Sequence, residues 1–471
     1  LNNTTLPAIS ARSWWAEVRD AIAGVHHDYT GGSLNRAIFL LAVPMVLEMF
    51  MESLFGIVDV FWVARLGPDA MATVGLTETA LTLVFVMAIG LSVGATAVVA
   101  RRIGEKDPEG AGLAAVQAIL IGLVISALVA VSGFWLAPEL LGVLGASASV
   151  VRTGANYTRV IFSGSATVFL LFLINAVFRG AGDAAIAMRV LWLANLVNIC
   201  LNPFLIFGWG PFPELGVTGS AVGTTIGRGV GVGLQLWVLW RGRGRIRIRR
   251  EQIRVAPPLM ARMLRLSVTA MFQYLVQMAS WIGVVRIIAS FSSAAVAANT
   301  LALRIILFVL LPSWGMSNAA ATLVGQNLGA KRPDRAEQAV WRTGLYNMLF
   351  LGAVGVVFLI FAEALIGAFT DDPEVQSIAV TGLRILACGN ISYAYGMVLA
   401  AAFNGAGDTQ TPTILNLICF WGCQIPLAYL LAITGGYGPA GAWIAVLVGD
   451  TLLAASAMVL FRRGHWKGTV L

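Results

Sequence analysis

The chain has 471 residues, 58% of them hydrophobic and 11% charged, with a formal net charge of +8. Soluble domains carry roughly 45–50% apolar and about 25% charged residues, so a soluble enzyme, a disordered chain and a disulfide scaffold are excluded. The basic excess does not indicate nucleic acid, because the Lys and Arg residues sit in loops between apolar runs, as in polytopic membrane proteins.

Residues 1–35 stand apart as an N-terminal segment. Ser13 to Ile22 can form a short amphipathic helix at the interface, with Trp14 and Trp15 at headgroup depth. The segment has no continuous apolar core of the kind a cleavable signal needs.

A bilayer core of ~30 Å takes about 20 residues per helix. Twelve such runs follow, at about 36–65, 73–100, 112–135, 155–178, 186–208, 216–241, 264–290, 295–325, 339–362, 377–403, 411–433 and 439–461. Punctuation such as Gly67-Pro68-Asp69, Lys106-Asp107-Pro108 and Lys331-Arg332-Pro333 separates them. The runs predict an all-α membrane protein with an N-lobe (36–241), a basic linker (242–262), a C-lobe (263–462) and a short tail (463–471).

The first run carries Pro44, Glu48, Glu52 and Asp59. At helical spacing the three acids lie within about 40° of azimuth, on a stripe ~16 Å long. Acidic groups in lipid cost several kcal/mol, so each is a functional candidate, and Asp59 leads them. Pro44 is a candidate hinge, with a static kink as the alternative. Glu78 reads as a cap of the second run.

Asn175 on the fourth run, Asn195, Asn198 and Asn202 on the fifth and Thr224 on the sixth can face the same interior. A carboxylate among amides and hydroxyls in a dry bundle has its charged form disfavoured, so it can exchange a proton or hold Na⁺ with neutral oxygens. A hydrogen-bond cluster that only holds helices together is the alternative. Gln273 and Gln277 on the seventh run are secondary candidates, together with Glu48. Asp450, in the last run, is the other internal carboxylate. Arg189, Arg228 and Arg286 lie within reach of span ends and snorkel, whereas Arg304 is deeper and has no acidic partner in its own half.

Cys200, Cys388, Cys419 and Cys423 all lie inside apolar runs, without metal-type spacing. The histidines, His26, His27 and His465, are near the ends of the chain and form no intramembrane relay. No metal site is expected, and no cofactor beyond H⁺ or Na⁺ as a coupling ion.

A shift of 225 residues aligns the two halves from about 41 to 183. Phe178-Arg179-Gly180-Ala181-Gly182-Asp183 falls on Phe403-Asn404-Gly405-Ala406-Gly407-Asp408, and a later three-residue gap brings Gly216 onto Gly438. Each repeat holds six runs, an even number, so the repeats are parallel and related by an axis along the membrane normal. Glu48 falls on Gln273, Glu52 on Gln277 and Asp59 on Val284. Titratable chemistry is thereby concentrated in the first lobe. Arg101, Arg102, Lys106, the run Arg241 to Arg254, Lys331, Arg332, Arg335 and the tail's Arg462, Arg463 and Lys467 share one side with the N-terminal Arg12, Arg19 and Arg36. That side is expected to be cytoplasmic, with both termini inside.

Gly-Ala-Gly-Asp at 180–183 and 405–408 matches the GxGD motif of intramembrane aspartyl proteases. Both copies fall between runs, where Gly closes one helix and Asp N-caps the next. Gly325 to Arg332 fails as a Walker A, since the spacing is wrong and no hydroxyl follows Lys331. With no nucleotide-binding domain, transport driven by an ion gradient is expected, and no enzymatic activity.

Val43-Pro44-Met45, Asp59 to Ala70, Ala100 to Gly104, Phe178 to Asp183 and Asn198-Ile199-Cys200-Leu201-Asn202-Pro203 together resemble the multidrug and toxic compound extrusion (MATE) family, and its DinF-like branch most closely. The resemblance runs from about 35 to 462. It implies a V-shaped pair of six-helix lobes and efflux of amphipathic, often cationic compounds in exchange for H⁺ or Na⁺. It places the coupling carboxylate at Asp59, with Asn175, Asn198, Asn202 and Thr224 around it, and links bending at Pro44 to protonation. Some relatives carry an aspartate where Asn202 stands, and another branch uses a glutamate on the seventh helix, where this chain offers Gln277. The expectation is an H⁺-coupled antiporter in a prokaryotic inner membrane, monomeric, with the bilayer and small amphipathic or cationic substrates as its partners and no nucleic acid. A Na⁺-coupled exporter and a flippase of lipid-linked precursors are the rivals.

Overall fold

The computed structural model describes residues 14–25 and 27–471. Arg12, Ser13, His26 and the side chain of Trp14 lie outside that description. No strand occurs among the described residues.

A short helix, α1 (Trp14–Ala23), precedes the bundle. The first lobe contains α2 (Leu34–Ala64), α3 (Pro68–Gly104), α4 (Pro108–Val143), α5 (Ala148–Ser163), α6 (Ser165–Ala181), α7 (Ala184–Phe207) and α8 (Val217–Arg241). The second contains α9 (Pro257–Ala289), α10 (Ser293–Gly329), α11 (Pro333–Gly367), α12 (Pro373–Ala406), α13 (Gln410–Asn416), α14 (Ile425–Tyr429) and α15 (Pro439–Arg463). Helices α5 and α6 make one span, broken at Gly164. Helices α13 and α14 make another, joined and extended by two π-helical stretches, Leu417–Gln424 and Leu430–Thr434. Pro426 lacks an N–H between them, which favours the wider winding. Twelve spans in two lobes result. Eleven are long and apolar enough to cross a membrane by length and composition. The other, α8, is diluted by Gly and Thr residues that let its neighbours approach closely.

Local signals set the helix limits. Pro68, Pro108, Pro257, Pro333, Pro373 and Pro439 each open a helix, where the missing N–H costs nothing. Pro257 starts α9 inside the stretch read as linker, so the linker helix boundary falls earlier than the hydropathy pattern placed it. Lys106 and Lys331, one repeat apart, are the non-glycine residues with positive φ among those described, at 60° and 58°. The duplication thus extends to the backbone of equivalent turns.

The lobes meet along a seam of α2, α3, α9 and α10. Gly104 on α3 lies against the Gln326 carbonyl on α10, and Gly329 on α10 lies against the Arg101 carbonyl on α3. Arg101 and Gln326 are one repeat apart, as are the two glycines, so the contact is reciprocal, as a two-fold axis requires. Gly90 against Met271 and Gly315 against Met45 repeat the arrangement nearer the middle. A side chain at these glycines would collide with backbone. The glycine-mediated contacts between lobes all fall between the helix middles and the arginine-rich end. Straps at that end join the lobes. Arg101 Nη2 donates to the Thr469 carbonyl (2.8 Å), and Arg332 Nη1 to the Thr30 carbonyl (2.6 Å). Within the first half, the Tyr29 hydroxyl, which burial raises to about 12, ties the segment before α2 to the Gly182 carbonyl after α6 (3.2 Å).

Candidate functional site

Asp59 sits on the last third of α2, turned into the first lobe and 9% exposed. Two neutral groups hold it. Asn202 Nδ2 donates to Asp59 Oδ1 at 2.7 Å and Ser220 Oγ to the same oxygen at 2.9 Å. Asn202 Nδ2 also reaches Asn198 Oδ1 (3.1 Å), and Asn198 Nδ2 donates to Thr224 Oγ1 (2.8 Å). The chain Asp59–Asn202–Asn198–Thr224 therefore links α2, α7 and α8. No ion pair with Asp59 is formed among the described residues, although Arg228 is near enough to act on it through charge. Asn202 Oδ1 is buried with no partner.

Asn175 does not join this group. Glu48, 1% exposed, accepts from Asn175 Nδ2 (3.1 Å) and from Arg179 Nη1 (2.7 Å). Gln235 Nε2 donates to Asn175 Oδ1 (2.6 Å). The geometry of α6 explains the difference: Asn175 and Arg179 are one turn apart and share a face, so the arginine that anchors Glu48 brings Asn175 with it. Glu52 lies between the two clusters and accepts from Asn195 Nδ2 (3.2 Å).

Glu48 and Glu52 line a cavity of about 330 Å³ between the lobes. Arg179 faces them, and the second lobe contributes Gln273, Gln277, Trp314, Tyr393 and Asp450. Asp59 is not among the lining residues. The acidic stripe of α2 thus serves two places, a cavity at its middle and a closed hydrogen-bonded cluster further along. Gln273 is buried with its Oε1 unpartnered, and Val284, in the place equivalent to Asp59, is packed in the second lobe's apolar core.

Other sequence readings need correction. Glu78 lies well inside α3, which starts at Pro68, so it is no cap; Asp69 occupies the first turn instead. Asp183 leaves its own helix uncapped because its carboxylate accepts from the backbone N–H of Arg245 (2.6 Å). Asp408 does cap, accepting from Thr411 N (3.1 Å). Pro44 falls inside α2, as the run 36–65 has it, and the helix runs unbroken through it. Arg304 has its acidic neighbour in the other lobe, where Glu78 interacts with it through charge.

Sequence reasoning missed Ser220, Arg179 and Gln235. Ser220 precedes Thr224 by one turn of α8, and Gln235 follows it by three turns on the same face; that spacing was the available signal.

Comparison with known proteins agrees with this architecture. The MatE family model matches residues 44–204 and 266–430. The chain is 28% identical over 440 residues to a protein of Thermotoga maritima named "Probable multidrug resistance protein NorM", covering 92% of this chain and 93% of that one. It is 26% identical over 417 residues to "Probable multidrug resistance protein YoeA" of Bacillus subtilis, covering 88% and 90% respectively. A solved structure described as the "Outward-facing conformation of a multidrug resistance MATE family transporter of the MOP superfamily" superposes with a TM-score of 0.86 at 25% identity, covering 94% of this chain and 98% of that one.

Proposed function

The chain belongs to the MatE family, whose members are transporters, and from that premise we propose that it is an efflux antiporter exchanging amphipathic or cationic compounds for H⁺ through Asp59. One observation carries the reading: a buried carboxylate held only by an amide and a hydroxyl, with no arginine clamp. As a carboxylate, Asp59 accepts both bonds. Once protonated, it is also a donor, and the set of partners must change. The change bears on how α2 sits against α7 and α8. Helix α2 also packs against α10 across the seam at Met45 and Gly315, with Pro44 one residue away. Pro44 removes one hydrogen bond from the helix ladder and lowers the cost of bending there. A proton can bias such an equilibrium only by binding its two states with different affinity, so proton and substrate should compete.

Glu48 has a different role. Its arginine partner makes it a fixed ion pair at the cavity wall, so it sets polarity instead of exchanging a proton. The lobes are taken as 36–241 and 263–462. The arginine-rich end, with both termini, faces the cytoplasm of a prokaryotic cell, and the chain works as a monomer. Na⁺ coupling is the second reading, favoured by the unpartnered Asn202 oxygen beside Asp59.

Efflux of a fluorescent cation from proteoliposomes, with H⁺ and Na⁺ gradients imposed separately, tests both. Efflux driven by a pH gradient in Na⁺-free buffer is expected. Efflux that requires Na⁺, or that persists undiminished in Asp59→Asn, would remove the proton assignment.

A further inference from the structure

The cavity holds a second carboxylate that the coupling scheme leaves unused. Asp450 projects from α15 of the second lobe into the space between the lobes. No described residue hydrogen-bonds or ion-pairs with it. Arg179 is the sole cation among the lining residues, and Glu48 already holds it at 2.7 Å. Asp450 is therefore a half-buried cavity carboxylate with no counter-charge among the described residues, a place that a cationic ligand can fill.

Its surroundings are aromatic. Tyr393 of α12 is close enough to Asp450 to feel its charge, with Trp314 of α10 and Tyr274 of α9 nearby. All three rings line the same cavity. A carboxylate beside aromatic rings in one cavity matches an onium or protonated amine, whose charge pairs with the acid and whose surface rests on the rings. A phosphate or carboxylate ligand would be repelled there.

We propose that Asp450, with Tyr274, Trp314 and Tyr393, forms the subsite that receives the cationic head of the transported compound, while its apolar body lies across the cavity toward the first lobe. The proposal rests on the cation-efflux reading above and adds a division of labour: the second lobe recognises the cation, and the first carries the coupling carboxylate.

The test uses the full chain in nanodiscs, with tetraphenylphosphonium as probe at alkaline pH, where carboxylates are ionised. Asp450→Asn should bind the probe on the order of tenfold more weakly than wild type, and Asp450→Glu should stay close to wild type. An aryl-azide phosphonium photolabels the unmodified chain, so this arm does not depend on a variant folding. Label on peptides containing Trp314, Tyr393 or Asp450 is expected, and label confined to α2, α3 and α6 overturns the subsite. Wild-type proteoliposomes that fail to move the probe under a pH gradient overturn the efflux reading. Wild type that moves it, with Asp450→Asn binding it undiminished, overturns the subsite alone.

Discussion

Helices α2 and α9 hold equivalent places in the two lobes and carry different chemistry. Along α2 stand Glu48, Glu52 and Asp59; at the matching positions of α9 stand Gln273, Gln277 and Val284. The surroundings changed with them. Ser220, which donates to Asp59, corresponds to Ala442, and both Val284 and Ala442 belong to the apolar core of the second lobe. The scaffold kept its symmetry, down to reciprocal glycines and matching left-handed lysines, while the ionisable cluster exists on one side only. On the proposed coupling scheme, one titrating centre in the first lobe is enough to bias how the two lobes sit about their shared seam, provided that its two protonation states favour different packings.

Experiments can break or sharpen this contrast. The largest effect is expected at Asp59. Asp59→Asn keeps the size and the acceptor oxygen but cannot titrate, and proton-driven efflux should fall by about a hundredfold or more, ~3 kcal/mol, with an unchanged gel-filtration profile. Gln277→Ala in the second lobe should leave proton coupling in place. A loss comparable to that of Asp59→Asn would show that both lobes couple.

Next comes Arg179→Met, which strands Glu48 as an unpaired buried charge. Removing one partner of a buried pair costs about 3–5 kcal/mol, so a marked fall in the melting temperature of the purified protein is expected. The double variant Arg179→Met with Glu48→Gln should recover much of it.

The seam offers a test of symmetry itself. Gly104→Val and Gly329→Val each push a side chain into the opposing backbone, and overpacking costs about 1–3 kcal/mol. Equal destabilisation of the two variants is expected, and a large inequality would mean that the two-fold contact is not shared evenly.

The smallest effect is at the tail. Lys467 contacts Glu337 at 2.6 Å and Asp334 at 3.4 Å, and the first of these raises its amine above the usual lysine range. A raised value in the folded state means that the contribution is fully present below the unfolded value and is lost as pH climbs through the folded one. Lys467→Ala should lower stability by less than about 1 kcal/mol at neutral pH, with the difference from wild type vanishing in strong alkali.

The acidic stripe of α2, the duplication and the order of the twelve spans were legible because each depends on spacing along the chain, whereas several helix ends lie four or more residues beyond the apolar runs. Helical periodicity places Glu48, Glu52 and Asp59 on one face whatever surrounds them, and the aligned halves supply a two-fold relation without coordinates. Asn198, Asn202 and Thr224 also fell where the pattern put them, around Asp59. What spacing could not say is which neighbour each acid meets. Arg179 reads as a helix-end arginine until α6 is packed against α2, and Asn175 then goes to Glu48. Arg304 has no partner in its own lobe because the charge it senses, Glu78, belongs to the other.

The one-dimensional pattern therefore determined the spans, the repeat, the sidedness of the charges and the confinement of three acids to one helix, since hydrophobic period and residue order are properties of the chain itself. The tertiary structure alone decided that Asp59 is held by neutral donors while Glu48 is neutralised by an arginine, and that Asp450 faces a cavity instead of a partner. Those outcomes depend on which helix faces meet across the interior, and in a bundle of twelve similar apolar helices the polar contacts of each face are set by its packing neighbours and not by its own sequence.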